Sequence, residues 1–506
     1  MNYVTITGVL SYEALTPELL CQQLQGGGYR VEHTVRASGK AQCLDTFEYH
    51  LYRAGLLLLS LEGQLWLLGS AQAIELTCEG RGGATAALPP SPLRQIVQHY
   101  TPPLRALYPR FSVNAVVERF ALLDRLDKTH ARLQVVTLNG QLSLIRPQGL
   151  RGYEAAESFL QQRLQQLPGG VTVSSYPAAL AALGWVIEPY QSKPPLEFSP
   201  ECGSKAMVNH LATALLSIAR CNEEGVIADI DTEFLHDYRV SLRKIRSALS
   251  LLKGVYSEAA TAMVKQELAE VMRHTNQLRD LDVYLLEQSE YEQQVAAPLR
   301  AGLKPMFDEF AKQRQQQQRK IARYFTSKIY LKLMAKLERQ FATEQALDAG
   351  EMADLPAHDY TAELIWKRYK KVAKVAAAIH ADTPDEEVHE LRIQCKKLRY
   401  LMEFALPFYD PKAVNQLIKA LKGLQDVLGK FNDYSVQQLS LANYLKQLEA
   451  KGGQPRLLIE TAQAIGALTA VLYQKQCQQR QQVESSFNHF NSPEVQQQFK
   501  ELFKEP

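Results

Sequence analysis

Read as a string of residues, the chain divides into an α+β domain with an antiparallel sheet and an all-α domain, the latter a duplicated helical bundle with internal pseudo-twofold symmetry. Three observations support this. Short apolar runs alternate with turn signals in the first part, a proline cluster breaks the chain near residue 194, and the remainder keeps helical periodicity while carrying one charged motif twice.

A length of 506 residues is too great for one ordinary domain and enough for two or three, each with its own core. With 46% apolar and 22% charged residues, the composition is globular rather than disordered. The net charge is +3. Residues 1–200 hold 16 Lys+Arg against 15 Asp+Glu, which leaves 41 against 39 of the totals of 57 and 54. Neither part is basic in bulk, so a histone-like or polybasic membrane binder is excluded and any polyanion site must arise from local clustering. The seven cysteines, Cys21, Cys43, Cys78, Cys202, Cys221, Cys395 and Cys477, are scattered without a CxxC pair. That fits a reducing compartment and neither a zinc site nor a redox centre. The opening MNYVTITGVL lacks the basic and apolar regions of a signal peptide. Apolar runs such as Leu56–Leu59 are broken at Ser60, Glu62 and Gln64 before they could span a bilayer. A cytoplasmic protein without a membrane partner is expected.

Residues 1–190 are assigned to the α+β domain. Val4–Leu10, Leu56–Leu61, Leu65–Leu68, Leu133–Leu138 and Leu142–Ile145 read as strands, with Glu62-Gly63 and Asn139-Gly140 as hairpin turns. Helices are predicted over Pro92–Tyr100 and Tyr153–Leu167, the second stopped by Pro168-Gly169-Gly170. Residues 191–204 read as a linker, because Pro194, Pro195 and Pro200 neither continue a helix nor join a central strand. Residues 205–506 are assigned to the helical domain, with repeat halves of about 205–345 and 356–506 parted at Asp348–Pro356. Phe310–Lys336 and Leu457–Gln482 read as hairpins of long helices.

The repeat carries the functional signal. His236-Asp237-Tyr238-Arg239, followed by Leu242-Arg243-Lys244-Ile245-Arg246, returns 153 residues later as His389-Glu390-Leu391-Arg392 and Cys395-Lys396-Lys397-Leu398-Arg399. The same offset relates Asp280 to Asp433, Val283 to Val436, Leu268 to Leu421 and Val271 to Leu424, so one register spans two separate helices. At about 100° per residue, His236, Arg239, Arg243 and Arg246 fall in one sector of roughly 80°, with Lys244 outside it. Tyr238, Leu242, Ile245, Leu249 and Leu252 form the opposite, apolar face. In the second copy His389, Arg392, Lys396 and Arg399 make the stripe, while Leu391, Leu398 and Met402 pack. Each stripe lacks carboxylates from its histidine onward, until Glu403. Solvated helix faces normally mix both signs, and like charges at i, i+4 cost a few tenths of a kcal/mol per pair, roughly. A bound polyanion would compensate; two ordinary helices with basic exposed faces are the bland alternative. Glu233 and Glu386, each three residues before a histidine, could in principle hold a metal with it, but acids in a first helical turn are favoured by the helix dipole alone, and no metal is expected.

HDYRVSLRKIR and HELRIQCKKLRY resemble the paired signature helices of the CHAD family, the conserved-histidine α-helical domain. Leu278-Arg279-Asp280-Leu281-Asp282 and Phe431-Asn432-Asp433 resemble its second motif. The resemblance covers about residues 205–506 and implies a bundle of long helices, a basic surface or channel lined by the signature helices, and binding of inorganic polyphosphate. Carried over position by position, the implied ligands are His236, Arg239, Arg243, Lys244, Arg246, His389, Arg392, Lys396, Lys397 and Arg399. Asp280 and Asp433 are implied as structural partners that orient arginines, since a carboxylate would repel the ligand. Polyphosphate has about one charge per phosphate and no base edges, so affinity should come from Arg/Lys contacts and counterion release. Tyr400 is the one aromatic near a stripe, and the absence of a stacking platform argues against nucleic acid as the partner.

Leu44-Asp45-Thr46, Leu51-Tyr52-Arg53-Ala54-Gly55-Leu56 and Arg151-Gly152-Tyr153-Glu154 resemble stretches of the CYTH superfamily, the triphosphate-tunnel fold of triphosphatases and class IV adenylyl cyclases. This resemblance covers about residues 1–170 and is degenerate. The family's opening ExExK strand is matched by the uncharged Val4-Thr5-Ile6-Thr7-Gly8-Val9, and Leu59 and Leu61 stand where tunnel arginines are expected. Without carboxylates for divalent cations or arginines for triphosphate, no triphosphatase activity is expected and no cofactor is implied. The reading is a non-enzymatic polyphosphate-binding protein, targeted to polyphosphate granules. A triphosphate or polyphosphate hydrolase using the N-terminal domain, and a helical adaptor for protein or nucleic acid, are the alternatives.

Overall fold

A computed structural model describes the chain except residues 1–8, 13–14, 69–82, 168–170, 174–180, 182–183, 185–186, 188–189, 194–195, 200, 344, 381–382, 452–454 and 505–506. It forms two compact units, Met1–Gln191 and Ser192–Pro506.

The N-terminal unit is a curled antiparallel sheet of order β4-β3-β2-β6-β7-β8-β1-β9, with β5 pairing on β6. Its strands are β1 Val9–Tyr12, β2 Arg30–Asp45, β3 Leu57–Leu61, β4 Gln64–Leu68, β5 Gly83–Ala84, β6 Ala106–Leu123, β7 Thr129–Leu138, β8 Leu142–Gly149 and β9 Val171–Val173. Four helices join them: α1 Pro17–Leu24, α2 His50–Arg53, α3 Pro92–Tyr100 and α4 Glu154–Gln165. Both expected hairpin turns form, with Glu62-Gly63 at φ 50 and 77 and Asn139-Gly140 at φ 52 and 66. Positive φ at both central residues matches the right-handed twist of the flanking strands. The predicted strand Val4–Leu10 lies outside the described residues up to Gly8.

Each sheet face buries its own hydrocarbon. Phe120, Leu122, Leu133, Val135 and Ile145 pack with Leu20 and Leu24 of α1 and Leu160 and Leu164 of α4. The other face holds Leu57, Leu59, Leu61, Trp66, Val113, Val117, Leu138 and Leu144 in a separate apolar cluster. Leu59 and Leu61 are therefore core residues.

Asp45, first of the Asp-Thr pair, is buried at the end of β2. Its carboxylate accepts from the amides of Thr46 at 2.7 Å, Leu51 at 3.0 Å and Tyr52 at 2.9 Å, fixing the turn into α2. Burial pushes its carboxyl up to about 6 against those bonds and the nearby Arg110. Asp45→Ala strands three amides at a site with little water, and each unpaired buried donor costs about 1–3 kcal/mol. The variant is expected to lower the melting temperature and to accelerate hydrogen exchange at Leu51 and Tyr52 above all.

The second unit is all-helical: α5 Ser204–Ile227, α6 Thr232–Leu251, α7 Glu258–Leu286, α8 Gln288–Gln294, α9 Lys304–Phe325, α10 Lys328–Ala342, α11 Ala357–Ala377, α12 Asp385–Ala405, α13 Pro411–Lys451, α14 Pro455–Phe490 and α15 Pro493–Phe503. The first residues of α5, α6 and α7 precede those of α11, α12 and α13 by 153 positions each, so the sequence offset is also the offset of helix starts. Asp231 caps α6, accepting from Glu233 N at 2.9 Å and Phe234 N at 3.3 Å, and Ser257 caps α7. Where α5 and α11 begin, Ser204 N donates to Leu355 O at 2.9 Å and Ala357 N donates to Cys202 O at 2.8 Å. Those bonds are reciprocal at the same offset, as in an isologous contact.

Tyr238, Leu242, Ile245 and Leu249 of α6, and Leu391, Leu398 and Met402 of α12, are buried. Each helix thus spends its apolar face inside its own half. By length and composition α14 could cross a bilayer, but its Ile465, Leu468 and Leu472 are buried in a core shared with Leu441 and Tyr444 of α13.

Candidate functional site

The apolar faces of α6 and α12 point into their own halves and the two helices touch each other, so their charged faces meet where the halves join. Arg243 and Lys396, which occupy equivalent positions of the repeat, stand at the centre. Burial, Arg392 and Arg243 hold the Lys396 ammonium down to about 8; Arg399 adds to them and Asp433 opposes. Lys396 is nevertheless exposed to solvent, which places it in a recess crowded by cations rather than in the interior. Burial also lowers Arg243, an effect that a hydrogen bond with Tyr400 opposes and Arg279 reinforces.

Arg239 is 9% exposed. Its Nη1 donates to Thr275 Oγ1 at 2.5 Å, Asn276 Oδ1 at 2.8 Å and Met272 O at 3.3 Å, all neutral acceptors. Burial and Arg243 press its pKa down, Arg279 adds to them and Asp280 opposes, yet it stays cationic at neutral pH. Arg246 rests on Met272, with Nη1 3.7 Å from Sδ; its repeat equivalent Arg399 meets the equivalent residue Gln425 at 3.4 Å.

Not every predicted cation is uncompensated. Lys244 Nζ lies 2.9 Å from Glu403 Oε2, and Arg399 Nε lies 2.8 Å from Glu403 Oε1. A single carboxylate thus serves both helices. Arg392 Nη2 stands 3.7 Å from Asp433 Oδ1, while Asp280 acts electrostatically on Arg239 and Arg279. His389 is exposed, and its Nδ1 donates to Asn432 Oδ1 at 2.6 Å. Its Nε2 is left to accept when neutral or donate when protonated. His236 lies one turn before Arg239 on α6, half-buried. Lys397, about 100° round α12 from Lys396, is within reach of Arg368 of α11, which helps lower its ammonium.

Sequence reasoning missed Arg279 as a contributor. It acts on both Arg239 and Arg243, and its repeat equivalent is the neutral Asn432, so matching the copies could not single it out. Arg239 Nε, Arg246 Nε, Arg279 Nη1 and Arg392 Nε are buried without an acceptor among the described residues. Buried donors are usually paired, and leaving them unmet costs about 1–3 kcal/mol each. Convergent guanidinium groups with unmet donors suit a ligand of high negative charge with many acceptor oxygens. Among the described residues, no three or more His, Cys, Asp and Glu side chains are grouped to share a metal ion.

The N-terminal sheet shows a second feature that went unseen in the sequence. Strand alternation puts Arg119 of β6, Arg132 of β7 and Arg146 of β8 on the same face as Leu59 and Leu61, beyond the apolar cluster. Burial, Arg36 and Arg132 lower Arg119. The expected arginine-free face is thus apolar at β3 and basic at β6–β8.

Fold and site together define an all-helical module whose cationic cluster is assembled from two repeated helices. Residues 210–442 match the family model of the CHAD domain, and the helical unit carries a CHAD domain. The curled sheet of the first unit is compatible with a CYTH-like fold. Among solved structures, the chain is similar to the CHAD domain from the plant Ricinus communis, at 23% identity and TM-score 0.49 over 60% of this chain and 97% of that one. It is also similar to PptA from Streptomyces chartreusis, at 18% identity and TM-score 0.41 over 59% of this chain and 98% of that one. No curated protein matches.

Proposed function

We propose that this protein binds inorganic polyphosphate through its helical unit without hydrolysing it, in the cytoplasm and at polyphosphate granules. The observation that carries the reading is the meeting of Arg243 with Lys396, two equivalent cations brought together with Arg239, Arg279 and Arg392; Asp280 and Asp433 act on this cluster, and Asp282 and Glu287 act on Arg279 at its edge. Such a cluster is self-repelling until an anion enters it. A flexible polyanion with one charge per unit matches it better than a base-bearing strand, because the one aromatic beside the cluster, Tyr400, has its hydroxyl bonded to Arg243 and its ring stacked on Phe404, centroids 6.1 Å apart, and a single ring is no run of platforms for successive bases. Binding rather than hydrolysis is favoured by the uncharged Val4–Val9 stretch and by Leu59 and Leu61 lying in hydrocarbon.

Titration with polyphosphate, and incubation with tripolyphosphate and Mg²⁺ or Mn²⁺, test the two halves of the reading. Saturable binding that falls steeply with salt, with no phosphate released, is expected. Phosphate release that disappears when residues 1–190 are removed would establish a hydrolase, and displacement of bound polyphosphate by equal charge of RNA would overturn the choice of ligand.

A further inference from the structure

Two electrostatically different regions adjoin the cluster. Toward α7 and α13 it meets a cavity of about 720 Å³ whose lining includes Asp280, Glu287 and Asp433 and no Lys, Arg or His. Burial raises the carboxyls of Asp280 and Glu287. A phosphate chain entering there would meet three acids among neutral residues and no cation in the lining.

Toward α11 the surroundings are cationic. Arg368 of α11 donates through Nη1 to Gln394 of α12, three residues from Lys397. Lys253, just past α6, is tied to α11 because Tyr360 Oη donates to its carbonyl at 2.5 Å. Burial, Arg368, Lys371 and Lys253 hold the Lys397 ammonium down, with Glu390 opposing, so the four cations stand within electrostatic reach of one another. Lys253 and Lys371 are exposed. Among the described residues, none of the four is within ion-pair distance of a carboxylate.

The repeat makes this side one of a kind. At the offset of 153, Arg368 and Lys371 correspond to Leu215 and Ile218 of α5, each 5% exposed, and Lys397 corresponds to Lys244, which Glu403 neutralises. In the first copy α9 and α10 pack on α5 and make those positions core, whereas in the second, among the described residues, α11 has no comparable contact with α14 and carries cations there.

We propose that a bound polyphosphate chain leaves the central cluster on one side only, over a shelf formed by Lys253, Arg368, Lys371 and Lys397, an inference that rests on the polyphosphate reading of the cluster. The shelf makes the site selective for chain length. Tripolyphosphate occupies the centre, and longer chains add shelf contacts.

The test compares tripolyphosphate with a chain of about 100 phosphates, in wild type and in the Lys253→Glu/Lys371→Glu variant, across a salt series. Both positions are exposed, and the milder Lys253→Gln/Lys371→Gln pair checks that charge rather than misfolding is read. Tripolyphosphate affinity should stay within about twofold, while long-chain affinity falls roughly tenfold and its salt slope drops by roughly 1.4, at about 0.7 per lost contact. Unchanged long-chain affinity and slope would overturn the shelf, as would equal losses for both probes. Wild-type protein that binds neither probe would instead remove the polyphosphate reading itself, and the shelf with it.

Discussion

Replacing Arg243 and Lys396 together with glutamate is expected to weaken polyphosphate binding by at least roughly 100-fold, about 2.8 kcal/mol, without unfolding the helices. These two residues come from equivalent positions on α6 and α12, and reversing both turns the middle of the cluster from repelling cations into an anionic barrier. They are also the best pair for isolating charge. Arg239 is 9% exposed and hydrogen-bonded to Thr275 and Asn276, so a carboxylate there would disturb packing, and Arg399 shares Glu403 with Lys244. Circular dichroism should show unchanged helicity, and Arg243→Gln/Lys396→Gln should lose less, roughly tenfold. Charge reversal at Lys320 and Lys332, on α9 and α10, serves as the control. Equal binding by the folded Arg243→Glu/Lys396→Glu variant and wild type would place the ligand elsewhere.

Affinity should also fall as the pH rises from 7 to 9, and Lys396 should be the cause. Its ammonium is held down to about 8 in the free protein by burial and by Arg392 and Arg243. At pH 7 the group is mostly protonated and contributes a charge to the ligand; at pH 9 it is mostly neutral. Polyphosphate stabilises the ammonium and raises its pKa, so binding above pH 8 takes up a proton, and affinity drops by up to about tenfold per pH unit there. Cys395 and Tyr238, on the two signature helices, and Tyr409, just past the second, are poor alternative causes, because burial raises Cys395 to about 12 and pushes both tyrosines up, away from this window. Lys396→Arg keeps its charge across the range and should flatten the profile while binding at pH 7 changes little. A profile equally steep in that variant would acquit Lys396.

The helical unit was legible in the sequence for a simple reason. Duplicated helices expose their charged stripes at fixed spacing, so the period and the repeat could be read without knowing what packs on what. The N-terminal sheet was harder. β3, β4, β7 and β8 showed as apolar runs beside clear turns, but the two longest strands, β2 and β6, did not. The outer half of β2 is exposed and polar, while β6 is buried on both faces, with Val113, Ala115 and Val117 in one cluster and Phe120 and Leu122 in the other. Strands of either kind lack the simple alternation that marks a half-buried strand. Missing β6 also hid Arg119, since the face a residue occupies is defined only once its strand is placed.

By itself, then, the sequence determined the division into an α+β and an all-helical part, the two cationic helices and the face of each that packs. What it could not contain were relations between segments far apart in the chain. Only the tertiary structure brought Arg243 against Lys396, enlisted Arg279, committed Lys244 and Arg399 to Glu403, and set Lys253 beside Arg368 and Lys397. Helical periodicity fixes which way a side chain points, whereas the charge it meets depends on how separate helices cross.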